Sequence, residues 1–189
     1  MIGRALGAID AVTRWAGRAA MACALALTVS MLWEVVARYA FGAPTIWATD
    51  LSTMLNGAVL LLGAGYAVLA DAHVRIDFLS SRLPLRVQHA ANLAVIVPLL
   101  LPVTGLLTWV AAGRALRAYQ RGEVDLMTSW RPLLWPFYGV IALGLVVLSL
   151  QLFARAVRHA IGVRSGAPLA AGERDDPAAA GPEAGRRGA

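Results

Sequence analysis

The residues of this chain best suited to chemistry fall into a few small groups. Glu34 and Arg38 stand four apart, so on a helix they share a face and can pair. A carboxylate inside an apolar stretch is a functional-site candidate by default. Glu34 lies near one end of its stretch rather than the middle, which favours an ion pair that orients the helix. His73, Arg75 and Asp77 alternate with Val74, Ile76 and Phe78, so an extended backbone puts the polar three on one side. One His and one nearby Asp make a thin ligand set for a metal, and the group reads as a structural loop motif. Ser52, Asn56, Gly63, Ala67 and Ala70 form a helical stripe, where small residues admit a close neighbour and Asn56 can hydrogen-bond across helices. Arg114, Arg117 and Arg121 also recur at helical spacing and suit an acidic partner surface.

Counting removes other chemistries. Cys23 is the one cysteine, so neither an intrachain disulfide nor a cysteine zinc site is expected. All 17 basic residues are Arg; without Lys there is no Walker A or Schiff-base lysine. His73, His89 and His159 fall near the same ends of their apolar stretches, whereas a transmembrane haem needs paired histidines at matched depth on facing helices. No catalytic set, metal or cofactor is therefore expected.

The elements that must hold these residues follow from composition. Hydrophobic residues make up 59% of the 189 and charged ones 15%, against about 25% charged in a soluble domain; mean hydropathy is +0.64. The apolar residues come in four blocks of the roughly 20 residues that cross a bilayer, at about 19–37, 51–70, 89–113 and 132–154. Thr49 or Asp50 is expected to cap the second. Pro98 and Pro102 are expected to bend the third, and Pro132 and Pro136 to lie in or near the first turn of the fourth. In residues 1–18, Ile2, Leu6, Ile9, Val12 and Ala16 share one helical face, with Arg4, Asp10, Arg14 and Arg18 opposite, the pattern of an amphipathic interfacial helix. From about Gly166 the chain is Ala, Gly, Pro and charge with one large aliphatic, Leu169, and residues 161–189 read as a disordered cytoplasmic tail.

The predicted fold is thus all-α: four transmembrane helices over 19–160, preceded by the interfacial helix. Four spans put both termini on one side. That side carries Arg4, Arg14 and Arg18, the loop arginines Arg75, Arg82 and Arg86, and six more from Arg155 to Arg187. The other side has Arg38, Arg114, Arg117, Arg121 and Arg131. The bias makes the termini cytoplasmic. Trp33, Trp47, Trp109, Trp130 and Trp135 then gather at the outer ends, as an interfacial aromatic belt does. The net charge of +6 is accordingly a topology signal, not a nucleic-acid footprint.

In order along the chain stand Arg38-Tyr39-Ala40-Phe41-Gly42-Ala43-Pro44, Trp47, Asp50-Leu51-Ser52, Leu62-Gly63-Ala64, His73-Val74-Arg75-Ile76-Asp77, Leu83-Pro84, Trp135, Tyr138 and Gly144. In type and spacing this series, over roughly residues 1–160, resembles the small membrane subunit of tripartite ATP-independent periplasmic (TRAP) transporters, whose pattern is R-Y-x-F-x-x-P-x-x-W-x-x-E-L, then G-A and H-V-x-V-D…L-P. Asp50 stands where that family usually has Glu, and Ala142 where a Pro often precedes the last Leu-Gly.

The resemblance implies a scaffold in the bacterial inner membrane, not an enzyme. Its partners would be a large membrane subunit, which carries the ion and solute sites, and a soluble periplasmic solute-binding protein. Tyr39, Phe41, Pro44, Trp47, Asp50, Trp135 and Tyr138 would then be structural or partner-contact residues, with Arg114, Arg117 and Arg121 docking the binding protein. The alternatives are a small proton-coupled multidrug exporter, a haem-binding membrane anchor subunit and a scaffold for some other partner.

Overall fold

The computed structural model describes residues 2–70 and 85–165. These form five helices: α1 (Ile2–Ala40), α2 (Ala48–Leu69), α3 (Leu85–Val95), α4 (Leu101–Arg121) and α5 (Trp135–Ser165). A wide π turn, Ile96–Leu100, joins α3 to α4, so four rods are long and apolar enough to cross a membrane: Gly3–Ala40, Ala48–Leu69, Ala90–Arg121 and Trp135–Val163. Hydrocarbon offers backbone N–H and C=O groups no partner, and helices satisfy them internally. Pro98 sits within the π turn and Pro102 in the first turn of α4. A proline ring collides with the carbonyl four residues back, and the wider turn relieves that collision where the sequence predicts a bend.

The ends of the elements depart from expectation in four places. Residues 2–18 and the first span form one unbroken helix. Within it the packed side is rotated toward Asp10, which is buried while Val12 is exposed; Asp10 does not face outward with Arg4, Arg14 and Arg18. Neither Thr49 nor Asp50 caps α2: Trp47 holds the N-cap position without a side-chain bond, and Asp50 lies in the first turn. Pro132 precedes α5, since its carbonyl accepts the Asp125 N–H at 3.0 Å and so belongs to the loop. Finally, α5 runs through Ser165, taking residues 161–165 from the expected tail. His73, Arg75, Asp77 and the tail from Gly166 lie outside the described residues.

α5 is the central element, packing against every other helix. Its contact with α2 is tight because glycines remove side chains from it. A methyl group added at Gly144 would lie 2.8 Å from the Leu61 Cβ and 2.9 Å from the Leu61 carbonyl carbon. One added at Gly65 would lie 3.0 Å from Val147, and one at Gly57 2.9 Å from the Phe137 ring. α1 lies along α2, with Gly17 against the Tyr66 ring and Ala20 buried with Ala58 and Leu62. At one end Val68, Ile96, Leu152 and Ala156 form a second apolar cluster. Neither α1 nor α2 packs substantially on α4. The spans form an open series, α1–α2–α5–α4, rather than a closed ring.

Replacing Gly144 with Ala is expected to destabilise the detergent-purified protein by about 1–3 kcal/mol through overpacking, read as a lower unfolding temperature. Gly105→Ala, where nothing lies within 4 Å of the added carbon, should leave that temperature unchanged or raise it.

Candidate functional site

The bonded charged side chains collect at the two ends of the bundle. At the end away from the termini, α1 stops at Ala40, Gly42 takes φ +61°, and the Ala43 N–H returns to the Ala37 carbonyl at 3.0 Å. A left-handed residue just past a helix is a common stop signal, and glycine adopts it without strain. The turn carries Thr45 back over α1 to Glu34, which is buried (6% exposed). Arg38 donates to Glu34 Oε1 through Nε at 3.0 Å and also through Nη2. Thr45 donates its backbone N–H to Oε2 at 2.9 Å, and its hydroxyl to the same oxygen. One carboxylate thus ties α1 to the segment that starts α2. The sequence pairs Glu34 with Arg38 but gives no sign of Thr45, whose partnership depends on the backbone reversal at Gly42.

The rest of that motif has other tasks. Tyr39, Phe41 and Pro44 are exposed, Trp47 is half-buried, and Asp50 keeps one buried oxygen, Oδ2, without a hydrogen-bond partner. The structure does not bring Asp50 to Arg38.

At the same end, α4 stops at Gly122 (φ +60°) and a short hairpin leads to α5. Val124 bridges Leu133, the Leu134 N–H donates to the Glu123 carbonyl at 3.0 Å, and the Met127 N–H donates to Asp125 Oδ1 at 2.9 Å. Trp135 meets Tyr119 edge-on at 5.6 Å, and the Arg114 guanidinium lies 5.3 Å from the centre of the Tyr138 ring. Trp135 and Tyr138 therefore join α5 to α4. Arg117 and Arg121 are exposed on the helical extension the sequence predicts, while Arg114 also contacts α5.

At the terminal end, Asp10 accepts from Arg158 Nη2 at 2.5 Å and from Gln151 Nε2 at 3.2 Å, and Thr13 donates to Gln151 Oε1 at 3.0 Å. Arg155 donates to the Val68 carbonyl at 2.8 Å. Gln151, Thr13 and His159 are fully buried. This network brings the start of α1 and the end of α5 to one end of the bundle. Of the predicted stripe on α2, Ser52 is buried and bonds the Thr49 carbonyl at 2.8 Å, Gly63 is half-buried, and Asn56 is exposed. The glycines that make the close approaches are instead Gly17, Gly57, Gly65 and Gly144. Among the described residues no three His, Cys, Asp or Glu side chains stand close enough to hold a metal.

Apolar rods with bonded charged groups at their ends, used to position helices, define a multi-pass α-helical membrane protein. Residues 27–162 match the family described as tripartite ATP-independent periplasmic transporters, DctQ component, and the chain belongs to that family. The sialic acid TRAP transporter small permease protein SiaQ of Vibrio cholerae serotype O1 is 23% identical over 145 residues, covering 76% of this chain and 82% of that protein. The sialic acid TRAP transporter permease protein SiaT of Haemophilus influenzae is 34% identical over 59 residues, 31% of this chain and 10% of that protein. The chain is accordingly a TRAP transporter small subunit of the bacterial inner membrane, from a family of transport components rather than enzymes. The match does not favour the exporter or haem-anchor alternatives.

If Glu34 ties the connector to α1, Glu34→Ala should raise amide hydrogen exchange across 41–47, with Thr45 about tenfold faster, as befits loss of a charge-assisted bond. Unchanged exchange at Thr45 would reject the role.

Proposed function

We propose that this subunit braces a large permease subunit of the same transporter, so that the pair takes up a solute handed over by a soluble periplasmic binding protein, with uptake coupled to an ion. One observation carries this reading: the chain covers little of its own membrane surface. The most apolar window of each span is only 11–39% buried within the chain, and the spans form an open series. Such a layer suits a brace whose outer surfaces are completed by a larger protein. Both termini lie in the cytoplasm, on the side with the arginine excess. The relatives named above are permease proteins of sialic acid TRAP transporters; a carboxylate or sugar acid is the class of solute we assign here.

Within this role Glu34, Arg38, Trp47 and Asp50 organise the periplasmic end of α1 and α2. His73, Arg75 and Asp77 tie down the cytoplasmic loop. Arg117 and Arg121 offer charge to an acidic patch on the binding protein, with Arg114 contributing from its place over Tyr138.

The tagged subunit should copurify with the large subunit encoded beside it, and deleting it should abolish uptake while the other two components remain. Solute transport by the isolated chain in liposomes would refute the proposal. Reversing charge with Arg117→Glu and Arg121→Glu should slow association of the binding protein by about tenfold at low salt, with the difference shrinking as salt screens it. Equal rates at low salt would remove the two arginines from docking.

A further inference from the structure

We infer that the outward face of α2, centred on Asn56, receives a transmembrane helix of the large permease subunit that offers hydrogen-bonding groups to the Asn56 amide. The inference rests on the pairing proposed above and adds where on this chain it occurs. Packing within the chain buries Ala48, Ser52, Ala58, Leu62, Gly65 and Val68 of α2. Thr49, Thr53, Asn56 and Leu60 fall on the remaining side and are all exposed. Asn56 lies about 12 Å from the Ala48 end of α2 and about 20 Å from the Leu69 end, at ~1.5 Å per residue, well inside the span.

At that depth polar side chains must find partners. The exposed threonines find theirs within their own helix: Thr53 donates to the Thr49 carbonyl at 3.0 Å and Thr28 to the Ala24 carbonyl at 2.9 Å. A hydroxyl has a single proton, which one backbone carbonyl absorbs. An asparagine amide has two N–H donors and a carbonyl, more than a neighbouring turn can satisfy. No group of the chain completes Asn56 among the described residues, and hydrocarbon cannot.

The occupant is the large subunit rather than a second copy, because of where a related sequence occurs. The similar stretch takes up only 10% of the SiaT permease protein, so in that protein it is joined covalently to a much longer chain. A neighbour present once per copy is therefore the rest of the permease.

The test uses the copurified complex, with a photo-crosslinking amino acid in place of Leu60 on the same face. An adduct between this chain and the large subunit is expected. An adduct with a second copy, or none while the complex still copurifies, would overturn the inference and leave the pairing intact; failure to copurify would remove both. As a second measurement, Asn56→Leu should leave the unfolding temperature of the isolated subunit unchanged or higher, yet reduce retention of the large subunit under detergent challenge by about tenfold, with Asn56→Gln restoring part of it. Full retention in Asn56→Leu would also overturn it.

Discussion

The arrangement depends on how closely α5 approaches α2. Between helices in a bilayer there is little hydrophobic driving force, because lipid tails are as apolar as leucine; association relies on packing and on hydrogen bonds. Gly144 against the Leu61 backbone, Gly65 against Val147 and Gly57 against Phe137 supply that packing over the length of the contact. Glycine costs a helix stability in water, but here the lost side chain is exchanged for contact between helices. The other helices attach to this pair. α1 lies on α2 through Gly17 and Ala20. α4 is held on α5 by the Thr108–Ser149 hydroxyl contact at 3.3 Å and by the Tyr119–Trp135 and Arg114–Tyr138 contacts.

Packing of small residues fixes distance but fixes register only weakly, since a smooth interface tolerates sliding. The buried carboxylates supply the register. Asp10 and Glu34 stand near opposite ends of α1, and each is bonded to a second segment, Asp10 to α5 and Glu34 to the connector into α2. Moving α1 by one helical turn would separate Asp10 from Arg158 and Gln151 and Glu34 from Thr45, leaving Glu34 only Arg38 of its own helix and the Asp10 charge without a partner at the edge of hydrocarbon, which is costly. α1 is thus held at both ends, and a 39-residue helix so held behaves as a strut.

What the sequence made legible follows from the range of each signal. Spans depend on the length of apolar runs, and the described residues hold four helices long and apolar enough to cross a membrane. The Glu34–Arg38 pair and the Arg114–Arg117–Arg121 row depend on helical periodicity, a local property, and both sit on helix as expected. Thr45, Gln151 and Arg158 were not legible as partners of Glu34 and Asp10, because those bonds join residues 11, 141 and 148 positions apart. Asp10 was misassigned for a related reason: an amphipathic wheel ranks residues by polarity and cannot see that a glutamine and an arginine of another helix cover one of them. The stripe on α2 shows the same limit. Periodicity places Ser52, Asn56 and Gly63 on one stripe, and the packing divides them into a buried member, an exposed one and one between.

The open series of helices bears on how a transporter divides labour among subunits. A chain that moves solute must open and close around a midplane site, so its packing must be bistable there. The contacts described here point the other way: glycine-mediated contact in the middle of the membrane and charge-assisted bonds at both ends resist sliding as well as separation. Meanwhile, apolar side chains such as Leu25, Val29, Leu106 and Leu143 stay exposed along the spans, where lipid or another helix can cover them without reorganising the chain. Rigidity within and apolar surface without are what a moving neighbour needs from a fixed support, because motion of one element is productive only against another that does not follow it.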